Sequence, residues 1–178
     1  MAKKYNLRAK LATAVLISIA SILHVVEGMV PPLPIPGAKL GLANIASLIG
    51  LRTLDFGSAV VISLARCFIG SLFGSGLFGP TFYLSLAGSL SSALMMGLAS
   101  KIKGIGNNNV FVSVVGAITH STAQITVASF LLQHSGIWFY LPFLLGLSTI
   151  TGVFIGFVCE KLLGYLPAAI DLKQHSKN

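Results

Sequence analysis

PPLPIPGAKLGLAN, residues 31–44, is the stretch on which the fold turns. Pro31, Pro32, Pro34 and Pro36 fix φ and remove backbone donors, so the segment cannot be helical throughout. Each X-Pro step also pushes the preceding residue towards an extended backbone. Gly37 then permits a turn, and Lys39 and Asn44 stand at the mouth of the next apolar run. One long apolar run, residues 11–26, precedes the stretch and five more follow it. A semi-rigid segment in that position reads either as an ordinary connector or as an outer loop closing over a pocket. The second reading is carried forward, with residues 30–38 capping an outer pocket and Lys39 and Asn44 reaching into it.

The chain has 178 residues, 54% of them hydrophobic and 9% charged, and its mean hydropathy is +0.88. Soluble domains carry about 25% charged residues, so this composition belongs to a protein whose solvent is the lipid bilayer. In lipid the backbone must satisfy its own polar groups, and apolar runs of this length do so as helices. The fold class expected is an all-α membrane protein, a single six-transmembrane-helix bundle over 1–178. Its helices are expected near residues 7–29, 39–54, 56–73, 81–100, 110–133 and 138–163. The second is short against the roughly 20 residues of a full span. The first follows Lys3, Lys4, Arg8 and Lys10, but no convincing A-x-A cleavage pattern comes after it, so it reads as a spanning helix rather than a signal peptide. Cys67 and Cys159 lie inside apolar runs without metal spacing and read as small hydrophobes.

Charge sets the orientation. With the N-terminus inside, the inner segments hold Lys3, Lys4, Arg8, Lys10, Arg52, Lys101, Lys103, Lys161, Lys173 and Lys177, and the outer loops hold only Lys39. That asymmetry is a positive-inside signature. It predicts a multi-pass protein with both termini cytoplasmic. The net charge of +8 is thereby an orientation signal, and nucleic acid is not an expected partner.

Small residues recur at steps of three and four, which places them on single helix faces. Ala14, Ser18 and Ser21 do so in the first helix, Ala59, Ser63, Cys67, Gly70 and Gly74 in the third, and Ser148, Gly152 and Gly156 in the last. Such faces let helix backbones approach closely in lipid. Packing inside the bundle accounts for most of them, and a face left over is available to dock a membrane partner. Ala14, Ser18 and Ser21 are the candidates for that docking.

Polar side chains inside spans carry a functional expectation. Arg66 stands near the middle of the third helix and His120 near the middle of the fifth, with Gln124 one turn further on the same face. Asn44 and Tyr83 fall early in the second and fourth helices, in the outer half. Lys39, Asn44, Arg66, Tyr83, His120 and Gln124 are therefore the candidate substrate-binding residues. Together they suit a ligand with an anionic end and an apolar or aromatic body. The structural alternative is an Arg66–Glu27 pair, with His120 and Gln124 bonded to neighbouring backbone.

The acids are Glu27, Asp55, Glu160 and Asp171, and no two are spaced to hold the magnesium that prenyl-diphosphate chemistry uses. There is no GxxxxGK[ST] loop for ATP and no defensible Ser-His-Asp or Cys-His arrangement. No catalytic residue, metal site or cofactor is expected, and the chain alone is not read as an enzyme.

Three blocks resemble one family: GAKLGLANI (37–45), LARCFIGSLFGSGLFGPTFYLSLAGSLSSALMM (64–96) and GAITHSTAQ (116–124). They are similar to the family known as heptaprenyl diphosphate synthase component I, or Gx transporter family. The resemblance runs from about residue 32 to residue 156. The family often has His-Asn and then Gly-Gln in the third block. Here those places read His120-Ser121 and Ala123-Gln124, which keeps the histidine and the glutamine and loses the asparagine. The family in turn resembles the substrate-binding S-components of energy-coupling-factor (ECF) transporters. That resemblance implies six helices, an outer site beneath the first loop, and docking through small residues of helix 1. The implied partners are a membrane coupling subunit and two ABC ATPase subunits.

The function expected is that of an ECF S-component for a small anionic or amphipathic micronutrient: a flavin, another vitamin, or an isoprenoid or quinone precursor. The alternative is a non-catalytic membrane accessory subunit of a prenyl diphosphate synthase. A self-sufficient secondary carrier is a weaker third reading, since neither a proton-coupling charge pair nor an inverted repeat is evident.

Overall fold

The structure is a computed structural model and describes residues 2–29, 39, 41–74 and 76–165. Among the described residues six α-helices follow one another: α1 Ala2–Met29, α2 Asn44–Thr53, α3 Phe56–Phe73, α4 Pro80–Ala99, α5 Asn109–Leu132 and α6 Leu141–Tyr165. A 3-10 helix, Ser135–Tyr140, leads into α6. The described residues contain no strand. Five segments are long and apolar enough to cross a membrane: most of α1, then α3, α4, α5, and the 3-10 helix continued by α6. The protein is thus an all-α membrane protein.

Local chemistry sets the boundaries. Asp55 caps α3, its carboxylate accepting from Ser58 N at 2.7 Å. Gly79 is extended and Pro80 opens α4 at a position where its missing N–H goes unused. Asn108 caps α5, accepting from Phe111 N at 3.0 Å. Gln133 turns left-handed at φ 48° and ends α5.

The second helix departs from expectation. It was expected from residue 39 and begins at Asn44, because Gly41 is left-handed at φ +82° and Gly41 O takes Asn44 N at 2.9 Å in a turn. The N–H groups of Gly41 and Leu42 are held instead by the Glu27 carboxylate from α1. Ten residues at about 1.5 Å each cover roughly half of a ~30 Å hydrocarbon layer.

This half-length helix is the axis of the bundle. α2 packs against each of the other five helices, while α1 lies against α3, α3 against α4, α4 against α5, and α5 against α6. At its C-terminal end Leu48 and Leu51 join Ala59, Met96, Ala99, Val112 and Cys159 in an apolar core. Arg52 closes that end, donating from Nε to Asn109 Oδ1 at 2.7 Å and from Nη2 to Gly106 O at 2.9 Å. The small face of α6 is used internally. A Cβ on Gly156 would stand 2.4 Å from Val110 Cα and one on Gly152 2.8 Å from Val114 Cα, so α5 and α6 touch backbone to backbone. Ser148 bonds Ser121 across the same seam.

Candidate functional site

Beyond the N-terminus of α2 the axis is filled by polar side chains from four long helices. Arg66 on α3 is 1% exposed. Its Nη2 donates to Asn44 Oδ1 at 2.5 Å and to Ser89 Oγ, on α4, at 2.7 Å. Cys67 Sγ reaches the same Ser89 hydroxyl at 3.1 Å. Lys39 runs inwards: its backbone N–H donates to Gln124 Oε1 of α5 at 3.2 Å, and its ammonium donates to His24 Nε2 of α1 at 2.7 Å and to His24 O at 3.4 Å. An ammonium has no acceptor, so His24 Nε2 is the lone-pair partner and carries no proton. Burial holds the Lys39 ammonium below the ordinary lysine range; Glu27 and Cys67 oppose that shift and Arg66 adds to it.

Two glycines make room for the histidines. A Cβ on Gly88 would lie 2.9 Å from His120 Nδ1 and Cε1 and 3.1 Å from Gln124 Cγ. One on Gly70 would lie 2.6 Å from His24 Cδ2. Gly41 faces the other side of His120, its absent Cβ 2.8 Å from Asn44 Nδ2 and 3.4 Å from His120 Cδ2. The cluster is therefore continuous from Arg66 through Asn44 and His120 to Gln124 and Lys39.

Five of the six expected residues come together: Lys39, Asn44, Arg66, His120 and Gln124, all buried. Tyr83 does not. It is 43% exposed and its ring meets Phe82 edge-on at 5.5 Å. On α4 the inward face carries Phe82, Ser85 and Ser89, and Tyr83 lies a quarter-turn or so away from it. Arg66 and Glu27 lie within electrostatic reach of one another, but their direct bonds go elsewhere: Arg66 donates to Asn44 and Ser89, and Glu27 Oε1 accepts from the backbone of Gly41 and Leu42.

His24 and Ser89 are members of the cluster that the sequence reading missed. His24 was open to the rule applied to Arg66 and His120, that an ionisable group in a span has a role. Ser89 carried no such signal, being one of several serines in α4.

The docking candidates divide. Ala14 and Ser18 are exposed, whereas Ser21 is buried and donates to Ile17 O at 2.8 Å. Ser18 and Ser21 border an apolar groove of about 400 Å³ between α1 and α3, with Ile22, Val25, Ile69 and Phe73. The expected capping loop, residues 30–38, lies outside the described residues. Among the described residues no three His, Cys, Asp or Glu side chains gather to hold a metal ion.

Fold and cluster together define a helical membrane protein with a buried, hydrogen-bonding, cationic centre. The chain belongs to the heptaprenyl diphosphate synthase component I family, whose model matches residues 16–162. Comparison with curated proteins gives no match. Comparison with solved structures gives none either.

Proposed function

We propose that this chain is a non-catalytic membrane subunit that holds a small ligand in the Arg66 cluster and acts through protein partners. The observation that carries the reading is the guanidinium of Arg66. It is buried among side chains of α2 and α4, and its Nε has no partner among the described residues. A buried charge of this kind is costly unless something meets it.

Family membership favours one partner: the catalytic component of a prenyl diphosphate synthase, with this chain as its membrane accessory subunit. Missing magnesium-binding acids are in keeping with that division of labour, since the chemistry then belongs to the other component.

A second reading, an ECF S-component, is favoured by where the cluster sits. Successive helices run back and forth, so Arg8, Lys10, Arg52, Lys101, Lys103 and Lys161 fall at the end of the bundle opposite Lys39. Under the positive-inside rule the cluster then faces outwards and both termini are cytoplasmic, in a bacterial plasma membrane. In that reading exposed Ala14 and Ser18 on α1 meet a coupling subunit with its two ATPases. The ligand would be a flavin, another vitamin, or an isoprenoid or quinone precursor.

One experiment separates the partners. The tagged chain is purified from its native membranes in mild detergent, and its companions and any retained small molecule are identified by mass spectrometry. A soluble prenyltransferase supports the accessory reading, and a coupling subunit with ATPases supports transport. A chain that carries neither companion nor small molecule rejects both.

A further inference from the structure

We infer that the group received by the Arg66 cluster is an acceptor-only anionic oxygen group, a carboxylate or a phosphate, held by Asn44 Nδ2, Gln124 Nε2 and Arg66 Nε. This rests on the reading that the cluster is a ligand site, and adds the chemistry that the site selects.

The inference comes from which atoms are left over. Asn44 and Gln124 each have an amide oxygen and an amide nitrogen, and the two ends look alike until a neighbour decides between them. Here the neighbours decide. Arg66 is a donor only, so the Asn44 atom 2.5 Å from its Nη2 must be oxygen. The backbone N–H of Lys39 is also a donor only, so the Gln124 atom 3.2 Å from it must be oxygen. Both acceptors are therefore used, and both –NH₂ ends are turned elsewhere. Asn44 Nδ2, Gln124 Nε2 and Arg66 Nε are fully buried and have no partner among the described residues, and neither ring nitrogen of His120 between them has one. The first three are donors, and a neutral imidazole adds one donor and one acceptor, so donors are in excess.

The side chains that carry them belong to one cluster. Asn44 Nδ2 and the His120 ring both lie within 3.4 Å of the point where Gly41 would carry a Cβ, and the His120 ring and Gln124 Cγ both lie within 3.1 Å of the corresponding point at Gly88. Arg66 joins through its bond to Asn44. Charge agrees with the donor count: two basic side chains, Arg66 and Lys39, share the cluster with a single acid, Glu27, whose bonded oxygen is taken by Gly41 and Leu42. Buried donors without acceptors are expensive, and an anionic oxygen answers an excess of donors better than water, which must donate as well as accept.

Two isosteric changes test this. Gln124→Glu keeps the oxygen that accepts from Lys39, and Asn44→Asp keeps the one that accepts from Arg66. Each removes only the free –NH₂ and adds a negative charge. The full-length chain, its two variants and a Tyr83→Phe control are melted in detergent at constant ionic strength. The probes are inorganic phosphate, acetate or choline chloride. Phosphate or acetate is expected to raise the melting temperature of the parent and of Tyr83→Phe by several degrees. Each acid variant should melt as a folded protein and need at least tenfold more anion for the same shift. Response to phosphate alone assigns a phosphoryl group, and to acetate alone a carboxylate. Equal shifts with choline, or acid variants that respond like the parent, overturn the inference. A neutral or cationic molecule retained by the native protein also overturns it and leaves the ligand site standing. No retained molecule and no response to any probe removes both.

Discussion

Gly88→Ala places one methyl group into the contact between α4 and the site. The added Cβ would stand 2.9 Å from His120 Nδ1 and Cε1 and 3.1 Å from Gln124 Cγ. Ordinary contact begins near 3.4 Å, so the His120 ring must retreat by a few tenths of an ångström and the Gln124 stem by somewhat less. Moving them is not free: Gly41 lies on the other side of His120, and Gln124 Oε1 already receives Lys39 N at a long 3.2 Å. Overpacking of this kind costs about 1–3 kcal/mol. Replacing a helical glycine by alanine returns about 0.5–1 kcal/mol. The balance is a net loss of up to about 2.5 kcal/mol, or a fall of up to roughly 10 °C in melting temperature for a chain of this size. Gly146→Ala is the matched control. It lies on α6 with nothing within 4 Å of its absent Cβ, so it keeps only the helix gain and should melt a few degrees higher. Both variants are melted in the same detergent, together with His120→Ala and the double mutant Gly88→Ala/His120→Ala. If the ring is the obstacle, removing it relieves part of the methyl's penalty, and the double mutant is more stable than the two single losses added. A Gly88→Ala protein that melts as high as Gly146→Ala, with no coupling to His120, refutes the placement of His120 against α4.

Other expectations are simpler to read. Arg52→Ala loses two hydrogen bonds from a charged donor, to Asn109 and Gly106, and should lower stability by at least about 1.5–3 kcal/mol while leaving the anion response proposed for the Arg66 cluster unchanged; a parallel loss of that response would contradict the separation of the two ends. Ala14 is exposed on α1, so Ala14→Trp should leave the melting temperature within about 1 °C of the parent and, if α1 docks a coupling subunit, abolish the assembly; an intact assembly would move the docking face elsewhere. Single-cysteine probes at Ser135 and Asn108, both exposed and at opposite ends of α5, should be labelled from outside at Ser135 only, and labelling of Asn108 in sealed cells would invert the orientation. The purified chain should show neither ATPase nor prenyltransferase activity, and turnover of either kind by homogeneous protein would contradict the absence of acid pairs and a phosphate loop.

Much of this was open to sequence because the deciding signals are local. Asp55, Pro80 and Asn108 each act within three residues of a helix end, and the starts of α3, α4 and α5 fall within a residue of where they were read. The departures are long-range. Nothing within 39–44 announces that the N–H groups of Gly41 and Leu42 will be taken by a carboxylate fourteen and fifteen positions earlier, so the helix was begun five residues too soon. The same bonds commit Glu27 Oε1 to backbone, while the Arg66 guanidinium bonds Asn44 and Ser89. Tyr83 failed on phase: depth along a helix follows from residue number, but its face depends on which neighbours point inwards, and Phe82 and Ser85 fix that on α4. His24 was overlooked for want of a motif, although it meets Lys39 across a 15-residue separation.

The late start of α2 decides where the site can be. Every other helix packs against α2, and the side chains on its axis beyond Asn44 come from α1, α3, α4 and α5. Had α2 begun at residue 39, five more residues would have advanced it about 7.5 Å along that axis. That length runs into the space now held by Arg66, His120 and Gln124, and a helical backbone there would have kept its N–H groups to itself beyond the first turn. Instead the chain turns at Gly41, and Glu27 takes the two backbone donors the turn exposes. Lys39 is thereby left outside the helix, with its N–H free to bond Gln124 and its ammonium to reach His24. The glycine, the acid and the lysine are thus one arrangement: each lies on or against the segment that would otherwise have been helix, and together they turn half of a hydrophobic axis into a polar one.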